Sequence, residues 1–330
     1  MQTITQEEPL TPLIEERVEV VIGEMALELL SDPGFSAGWD NLYQSCPWAT
    51  VFQSRSFVDS WYNVYKGVYL PILLKAEEEG RITGLLTLAL SLPESGEKGL
   101  KNRRVRIVGA GHFEAEYQVW LAEEQNGNTF IRNALLALRR KFPASDVLFR
   151  FLPPNAPLAW VMNDPVWKRE FVLQAFRRPI MNLSDPELPK LFRKSEYRNK
   201  LNRLKRLGEV SFEHVRDFTR FSALLEELAI QFDFRQGAMF NKNRFRENPL
   251  KAKFLQVMFE QHLLHVTILK VKEEVVAAIA AVVSKDWVHL GGINIHTPFY
   301  AGYYSPGFVH FIMLGQQLAQ EGVAAFDLTP

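Results

Sequence analysis

Ile268–Glu274 (ILKVKEE) repeats, in the second half of the chain, a phrase that the first half contains as Ile72–Glu79 (ILLKAEEE). Each phrase predicts a strand that runs into a charged turn, because apolar β-forming residues give way to glutamates. Each is followed by a second apolar strand, which ends in Leu90-Ser91 or in Val283-Ser284. The two halves therefore contain the same strand-turn-strand unit.

The third strand of each unit also has a counterpart. It carries Val108–His112 (VGAGH) in the first half and Leu290–Asn294 (LGGIN) in the second, and each copy then enters an amphipathic helix and a strand. That last strand is predicted over Val147–Leu152 and over Ala324–Thr329. Helix, three strands, helix and strand therefore occur twice in the same order, which indicates a tandem duplication.

The repeat predicts an α+β (α/β) fold with two tandem lobes, each a mixed, largely antiparallel sheet flanked by helices. Two lobes also suit the length, because 330 residues exceed one ordinary domain and fit two of about 150 residues each. The predicted divisions are a flexible acidic lead-in at 1–17, a first lobe at 18–180 and a second lobe at 181–330.

Composition places the chain among ordinary globular proteins, with 47% hydrophobic and 23% charged residues. Lysine plus arginine equals aspartate plus glutamate at 38 each, so no overall field attracts nucleic acid or an anionic membrane. The single cysteine, Cys46, excludes an intramolecular disulfide and a cysteine-based zinc site. The first residues are acidic and unlike an export signal, and the longest apolar run, Val275–Val283, has nine residues, against roughly 20 for a membrane-spanning helix. We therefore expect a cytoplasmic protein without a transmembrane segment.

The segment Tyr303–Gly307 (YYSPG) runs directly into a predicted helix, Gly307–Gln320. A serine at the cap position, a proline in the first turn and a glycine that permits close approach leave backbone amides available at the helix start. Such amides suit a phosphate or carboxylate group. The same residues also describe a well-capped helix without a ligand, and the local sequence leaves both interpretations open.

This segment, with Gly322 and Phe326–Pro330 (FDLTP) behind the helix, resembles the GNAT-superfamily proteins of the CelD type, described as acetyltransferases of cellulose or exopolysaccharide biosynthesis. It is more distantly similar to the FemAB aminoacyl transferases. Arg198–Arg203 resembles the family's helix ahead of the second lobe, and Val51–Phe57 resembles its N-terminal phrase. The resemblance begins at about residue 39, covers the rest of the chain, and implies two GNAT-like lobes.

The chain departs from the family at its end. Family members continue after the Phe-Asp-Leu strand with a glycine-rich turn and a Tyr-Lys pair, whereas this sequence stops at Pro330. We therefore expect the second lobe to lack its last strand or strands, which would leave an exposed sheet edge and an incomplete pocket. A truncated or inactive protein is the alternative that this departure keeps open.

The resemblance implies acyl-CoA, with acetyl-CoA as the first choice, as the cosubstrate. In GNAT folds the pyrophosphate of the carrier lies against a helix start, and the acyl arm lies between two splayed strands. On this sequence the helix start places cofactor binding at Ser305, Gly307 and Phe308. The splayed strands would be Trp287–Ile295 and Ala324–Thr329.

Three side chains are candidates for the catalytic base that takes the proton of the acceptor. His296 precedes the helix and has an unperturbed pKa near neutral, Asp327 lies on the closing strand, and Glu116 follows a strand of the first lobe. For each of them a solvent-facing or hydrogen-bonding role is the alternative. Asn294, which shares a strand face with His296, and Tyr304 are predicted to bind the substrate.

A polar cluster follows the third strand of the first lobe. His112 and Tyr117 are predicted to bind the acceptor beside Glu116, and a solvated loop is the alternative. His112 and Glu114 have a His-x-Glu spacing, but no third ligand follows at a diagnostic distance, so no metal is predicted.

The helix predicted over Leu191–Leu207 is strongly basic, with seven cations against Glu196 alone between Arg193 and Arg206. It is either a solvated face or an anion site. The anion would be the phosphates of the carrier, tRNA, or a sugar nucleotide or lipid pyrophosphate acceptor.

The function predicted from these features is transfer of an acyl group, in the first instance acetyl, from acyl-CoA to an amine or hydroxyl of a sugar or envelope-polysaccharide precursor. Its partners are thus small-molecule or saccharide acceptors. Two alternatives stay open, FemAB-like transfer from aminoacyl-tRNA and a non-catalytic binding module with a GNAT fold. The sequence does not indicate an oligomeric state.

Overall fold

The computed structural model describes residues 18–92, 105–191, 193–284, 286–297 and 303–328. The predicted lead-in at 1–17 and Thr329 lie outside these ranges. The first half of the chain contributes β1 (Val18–Ile22), α1 (Glu24–Ser31), α2 (Pro33–Ser45), α3 (Arg55–Tyr65), β2 (Tyr69–Glu78), β3 (Arg81–Ser91), β4 (Val105–Gly109), β5 (Leu121–Ala122), α4 (Gly127–Lys141) and β6 (Ser145–Leu148).

Two short helices then lead to the second half. They are α5 (Ala159–Met162) and α6 (Pro165–Glu170). The second half contributes β7 (Ile180–Asn182), α7 (Leu188–Leu191), α8 (Ser195–Leu207), β8 (Val210–Val215), α9 (Phe218–Phe240), α10 (Arg244–Glu247), α11 (Leu250–Glu260), β9 (Leu264–Val271), β10 (Glu274–Val283), β11 (Trp287–His296), α12 (Pro306–Gln320) and β12 (Ala325–Asp327).

The two sheets have the same topology. The first has the order β1-β2-β3-β4-β6, with β5 beside β3, and the second contains β8-β9-β10-β11-β12. In both, the successive pairs are antiparallel except the last, β4 with β6 and β11 with β12, which is parallel. A parallel pair needs a crossover, which α4 and α12 supply. The predicted tandem α+β fold is therefore confirmed.

Local chemistry accounts for several element boundaries. Glu79 and Gly80, both with positive φ (50° and 77°), form the tight turn predicted between β2 and β3. Asp32 accepts a hydrogen bond from the Phe35 amide at 2.7 Å and so begins α2. Asp217 does the same for α9, through the Arg220 amide at 2.7 Å.

Other boundaries differ from the sequence-based predictions. The strand predicted over Val147–Leu152 is found as β6, which ends at Leu148. It does not reach Leu152, because Phe151 has a φ of 58°, outside the β region. The basic helix predicted from Leu191 begins only at Ser195. Helix α1 was not predicted at all.

The expectation of an exposed edge at the closing strand is wrong. β12 is paired on both sides, parallel to β11 and antiparallel to β7, with Phe326 opposite Met181. β7 (Ile180–Asn182) lies at the boundary between the two predicted lobes, outside the repeated order of strands and helices, so the repeat does not predict it. The second sheet thereby has β7, not β12, as its outer strand.

One hydrophobic core cluster joins the two lobes. α3 packs against α11, where Phe254 contacts Phe57 and Tyr65 edge-on at centroid distances of 5.6 and 5.8 Å. Beside these rings a buried ion pair crosses the interface, from Lys251 Nζ to Glu114 Oε2 at 2.6 Å. The lobes are thus held together by aromatic packing around a paired charge.

No helix within the described ranges is both long enough and apolar enough to cross a bilayer.

The buried ion pair gives a stability prediction. Lys251→Met should lower the free energy of unfolding by about 3–5 kcal/mol, because it leaves the Glu114 carboxylate buried without a counter-charge. Urea denaturation at pH 7 measures this loss. Lys253→Met is the matched control, because Lys253 lies on the same helix with an exposed side chain. Equal unfolding midpoints for the two variants would contradict the prediction.

Candidate functional site

The start of α12 opens onto a cavity of about 390 Å³ between that helix, β11 and α9. Its floor is formed where Ile279 of β10 lies opposite Asn294 of β11. The cavity brings together five of the residues predicted from sequence: His296, Asn294, Ser305, Gly307 and Phe308. The other lining residues are Arg235, Ile279 and Phe311.

The helix start differs from the predicted serine cap. Ser305 occupies the N-cap position with a left-handed backbone (φ 47°, ψ 59°), and its side chain caps no amide of the helix. Its hydroxyl instead accepts a hydrogen bond from Lys200 Nζ at 2.7 Å. Pro306 has no amide hydrogen, so the first amide of the helix belongs to Gly307. The Ser305 carbonyl accepts hydrogen bonds from the Phe308 and Val309 amides, at 3.1 and 3.2 Å.

Gly307 is required by a close approach of strand and helix. A Cβ atom at this position would lie 3.0 Å from Cδ2 of His296. The histidine ring thus packs directly on the first turn of α12, at the rim of the cavity.

Cations from two other helices converge on this turn. Lys200 and Arg203 of α8 reach it, the first at Ser305 and the second with a 3.0 Å hydrogen bond to the Tyr303 carbonyl. The Arg203 guanidinium also lies 4.0 Å from the centre of the Tyr303 ring. Arg235 of α9 lines the cavity and donates a hydrogen bond to the Asn294 carbonyl. Three cations and a helix N-terminus make the region electropositive.

The electrostatics keep His296 neutral. Burial, with the neighbouring Arg235 guanidinium as a second cause, lowers the pKa of His296 below its usual value. Burial also lowers the pKa of Arg235. An anion in the cavity would offset the free-energy cost of burying the Arg235 and His296 side chains next to each other.

The parallel pairing of β11 with β12 extends over three residue pairs. Trp287, Val288 and His289 pair with Ala325, Phe326 and Asp327, and no later pair follows within the described residues. A bulge lies just beyond, where the β10–β11 register shifts and Gly292 has a φ of 92°. Among the described residues, β11 therefore has no strand partner beyond His289 on the side away from β10.

A buried network of charged groups surrounds the last described residue pair of β11 and β12, His289 with Asp327. Arg178, which precedes β7, bonds to Asp327 at 3.0–3.2 Å and lies 3.5 Å from Glu116 Oε2. His289 Nδ1 lies 3.2 Å from Asp327 Oδ2. The Arg178 guanidinium also stacks 4.4 Å from the centre of the Tyr117 ring. One arginine thus joins a strand of the second lobe to a loop of the first.

Glu116 is the residue of the first lobe in this network that approaches β11, at Gly291. A Cβ atom at Gly291 would lie 3.4 Å from Glu116 Cγ and 3.6 Å from Oε1, which are ordinary contact distances, so the carboxylate lies directly beside this residue. Burial raises the pKa of Glu116 above its usual value, although Arg178 and Arg150 oppose the shift. A carboxyl group with a raised pKa that lies beside β11 has the properties of a general base.

The remaining predicted residues lie elsewhere. His112 packs between Tyr69 and Phe113 in the first lobe, at ring distances of 6.1 and 3.9 Å. Burial and the charges of Arg150 and Arg106 lower its pKa to about 4. Tyr304 is half-buried against the core between α8 and α12.

The equivalent helix start in the first lobe is packed differently. A Cβ atom at Gly127, the first residue of α4, would lie 2.6 Å from the Trp48 ring and 2.8 Å from Pro157. The next residues of the helix, Asn128, Thr129 and Arg132, line a cavity of about 470 Å³ beside α5. The carrier site that the sequence places at Ser305, Gly307 and Phe308 stays a prediction.

Sequence reasoning missed Arg178, Arg235 and His289. Arg235 had a detectable signal, because it continues the apolar stripe of α9 through Leu228 and Phe232 at helical spacing, and a cation on such a stripe needs an explanation. Arg178 had none, since its partners Glu116 and Asp327 lie 62 and 149 residues away.

Comparison with known proteins agrees with this architecture. Residues 192–330, or 139 of the 330, match the family described as "Acetyltransferase (GNAT) domain". No curated protein matches the chain.

Three solved structures have a similar fold. The crystal structure of FemX is 9% identical, with a TM-score of 0.54 over 89% of this chain and 87% of that one. The C-terminal domain of a protein from Agrobacterium fabrum, classed as a lysylphosphatidylglycerol synthetase, is 13% identical, with a TM-score of 0.52 over 89% and 76%. A conserved protein of unknown function from Bacteroides thetaiotaomicron is 12% identical, with a TM-score of 0.50 over 89% and 87%. The GNAT-like tandem fold is confirmed, and the CelD type stays a prediction.

The network around Arg178 gives a second stability prediction. Arg178→Met should lower the free energy of unfolding by about 3–5 kcal/mol, because the buried Asp327 and Glu116 carboxylates would face each other without their cation. Chemical denaturation at pH 7 tests it. Arg177→Met, at the exposed neighbouring position, should leave the unfolding midpoint nearly unchanged. Similar losses in both variants would mean that the ion pairs contribute nothing specific.

Proposed function

We propose that this protein is an acyltransferase that holds a carrier by its phosphates at the start of α12 and transfers the acyl group to an amine or hydroxyl. The observation that carries the proposal is the convergence of Lys200, Arg203 and Arg235 on a helix start that opens onto a cavity. Acyl-CoA, with acetyl-CoA as the simplest case, is the carrier. A sugar or envelope-polysaccharide precursor is the acceptor class, and that part rests on the sequence resemblance.

The part of β11 beyond its pairing with β12 supports a path for the pantetheine arm of the carrier. Gly291 lies five residues before His296, which corresponds to roughly 17 Å at ~3.3 Å per residue. This is the scale of an extended pantetheine arm. Beyond His289 the described residues of β12 do not pair with β11. Backbone groups of β11 other than the Asn294 carbonyl, which bonds to Arg235, can therefore pair with the amides of the arm. The thioester would then lie beside Gly291 and Glu116.

The chemistry is direct attack on the thioester. The nitrogen or oxygen of the acceptor forms a bond to the acyl carbon, and the Glu116 carboxylate takes the proton that the acceptor loses. Backbone amides at the bulge around Gly292 donate to the developing oxyanion. The carbon–sulfur bond then breaks, and the thiolate leaves with a proton from solvent. No covalent enzyme intermediate is needed.

The other two predicted bases take different roles in this proposal. Asp327 is bound by Arg178 and lies against His289, so it orients the arginine that holds Glu116 in place. His296 packs on the first turn of α12, at the phosphate end of the path. A neutral imidazole there can donate a hydrogen bond to a phosphate oxygen.

Calorimetric titration with CoA and acetyl-CoA tests the carrier site. We expect saturable binding, weakened about 10-fold or more in Lys200→Gln and in Arg203→Gln, because each loses a charge-assisted contact to phosphate. Gly307→Glu should abolish binding by adding an anion at the helix start, while Gly307→Ala separates the effect of size from that of charge. Lys205→Gln, an exposed cation on the same helix, is the matched control. Absence of CoA binding by the folded native chain would overturn the proposal for this carrier.

A second candidate is transfer from aminoacyl-tRNA. The observation that favours it is an exposed basic surface on a fold shared with FemX. Arg198, Lys205 and Arg206 of α8 form this surface together with Arg193 and Lys194, which directly precede the helix. RNA binding through this surface should fall steeply with salt. Lys205→Gln with Arg206→Gln should then weaken tRNA binding and leave CoA binding intact, which distinguishes the two donors.

The role of Glu116 as base gives a pH prediction. A base works when deprotonated, so with a raised pKa the rate should fall as pH drops through that raised value. Arg150→Met removes a charge that lowers the Glu116 pKa, and the fall should therefore move to higher pH. Carbon-13 NMR titration of glutamate-labelled protein measures the pKa without a known acceptor, and Glu116→Gln assigns the signal. Arg169→Met, exposed on α6, is the control, and a Glu116 pKa at or below its usual value would contradict the assignment.

A further inference from the structure

Two histidines and a glutamate meet at the far end of α12 from the proposed carrier site. His214 lies on β8, His265 on the neighbouring strand β9, and Glu321 directly after the last turn of α12. The two imidazole rings lie 3.9 Å apart, centre to centre. None of these residues belongs to the carrier cavity or to the network around Arg178.

The distances between their polar atoms suit a small cation. His265 Nε2 lies 3.0 Å from Glu321 Oε2, and His214 Nδ1 lies 3.5 Å from Glu321 Oε1. One ligand atom from each of the three residues lies within 4.8 Å of the others. In a tetrahedral zinc site with bonds of about 2.0–2.1 Å, neighbouring donor atoms are roughly 3.3 Å apart. Small side-chain rotations would bring all three donors to that separation.

The protonation states are those that a metal needs. Burial lowers the pKa of His214 to about 4 and also lowers that of His265, which favours the neutral form of both rings that a metal requires. Burial would raise the pKa of Glu321, but hydrogen bonds from Gln317 and the nearby histidines outweigh it and lower the pKa. The carboxylate is thus ionised.

Two other groups contact the cluster. Gln317 Nε2 lies 2.9 Å from His214 Nδ1, and Arg216 Nη2 lies 3.4 Å from the same atom and 3.9 Å from Glu321. The Arg216 side chain is 75% exposed, so it can turn into solvent when a cation enters. Glu321 is itself 31% exposed, which gives an ion a path from solvent.

We propose that His214, His265 and Glu321 form a binding site for a zinc-like divalent cation, with its fourth position open to water. The set of two imidazoles and one carboxylate suits Zn²⁺ and disfavours Mg²⁺ and Ca²⁺, which prefer oxygen ligands. The cation would tie β8 and β9 to the end of α12. This proposal is independent of the acyl-transfer reaction, because the cluster touches neither the cavity nor Glu116.

Zinc titration of the tag-free full chain, after treatment with a chelator, tests the site. In competition with a chromophoric chelator, the native chain should bind one Zn²⁺ tightly, and Co²⁺ should give the visible absorption of a four-coordinate site. His214→Gln and Glu321→Gln should each weaken zinc binding by on the order of 100-fold, since each removes one of three protein ligands. Thermal unfolding without metal shows that each variant is folded.

His262→Asn is the matched control. His262 is exposed just before β9 and has a φ of 56°, which asparagine tolerates. This variant should bind zinc like the native chain. The proposal is overturned if the native chain binds no stoichiometric zinc, if Glu321→Gln retains full affinity, or if His262→Asn loses as much affinity as His214→Gln.

Discussion

The Arg178 guanidinium is the interaction on which the rest of the site depends, because it bonds to a carboxylate on each lobe, Glu116 and Asp327. Asp327 lies on β12 at its last described pair with β11, opposite His289. Glu116 comes from a loop of the first lobe and lies beside Gly291 of β11. One buried cation therefore holds the loop of the first lobe against the sheet of the second.

The two lobes share a topology but have diverged in chemistry. At the start of α12, a left-handed Ser305 lies beside a cavity lined by Arg235 of α9, and Lys200 of α8 bonds to the serine. At the start of α4, Trp48 and Pro157 cover Gly127, while Asn128, Thr129 and Arg132 line a different cavity. The two helix starts therefore have different chemical surroundings. In the proposed function, one lobe holds the carrier while the other supplies the proton acceptor across the interface.

Much of the fold could be predicted because strand periodicity and turn chemistry are local. The phrases at residues 72–79 and 268–274 predicted β2 and β9 and the turns after them, and the glycine of the first turn appears where its positive φ is needed. β7 could not be predicted, because its three residues lie outside the repeated pattern of the lobes and pair with β12 only in the folded protein. Likewise the sequence placed Ser305 at a helix start but could not show that its hydroxyl bonds to Lys200, 105 residues away.

The sequence by itself determined two repeats of the same strands and helices, the helix start at Ser305 to Phe308, and the absence of a cysteine-based site. These follow from spacing and composition, which each short segment carries within itself. Only the tertiary structure decided which charges become partners, as in Arg178 with Glu116 and Asp327, or in the pairing of His214 and His265 with Glu321. The physical reason is that Coulomb and hydrogen-bond energies depend on distance in space. Residues far apart in the sequence come close enough to interact only when the chain folds.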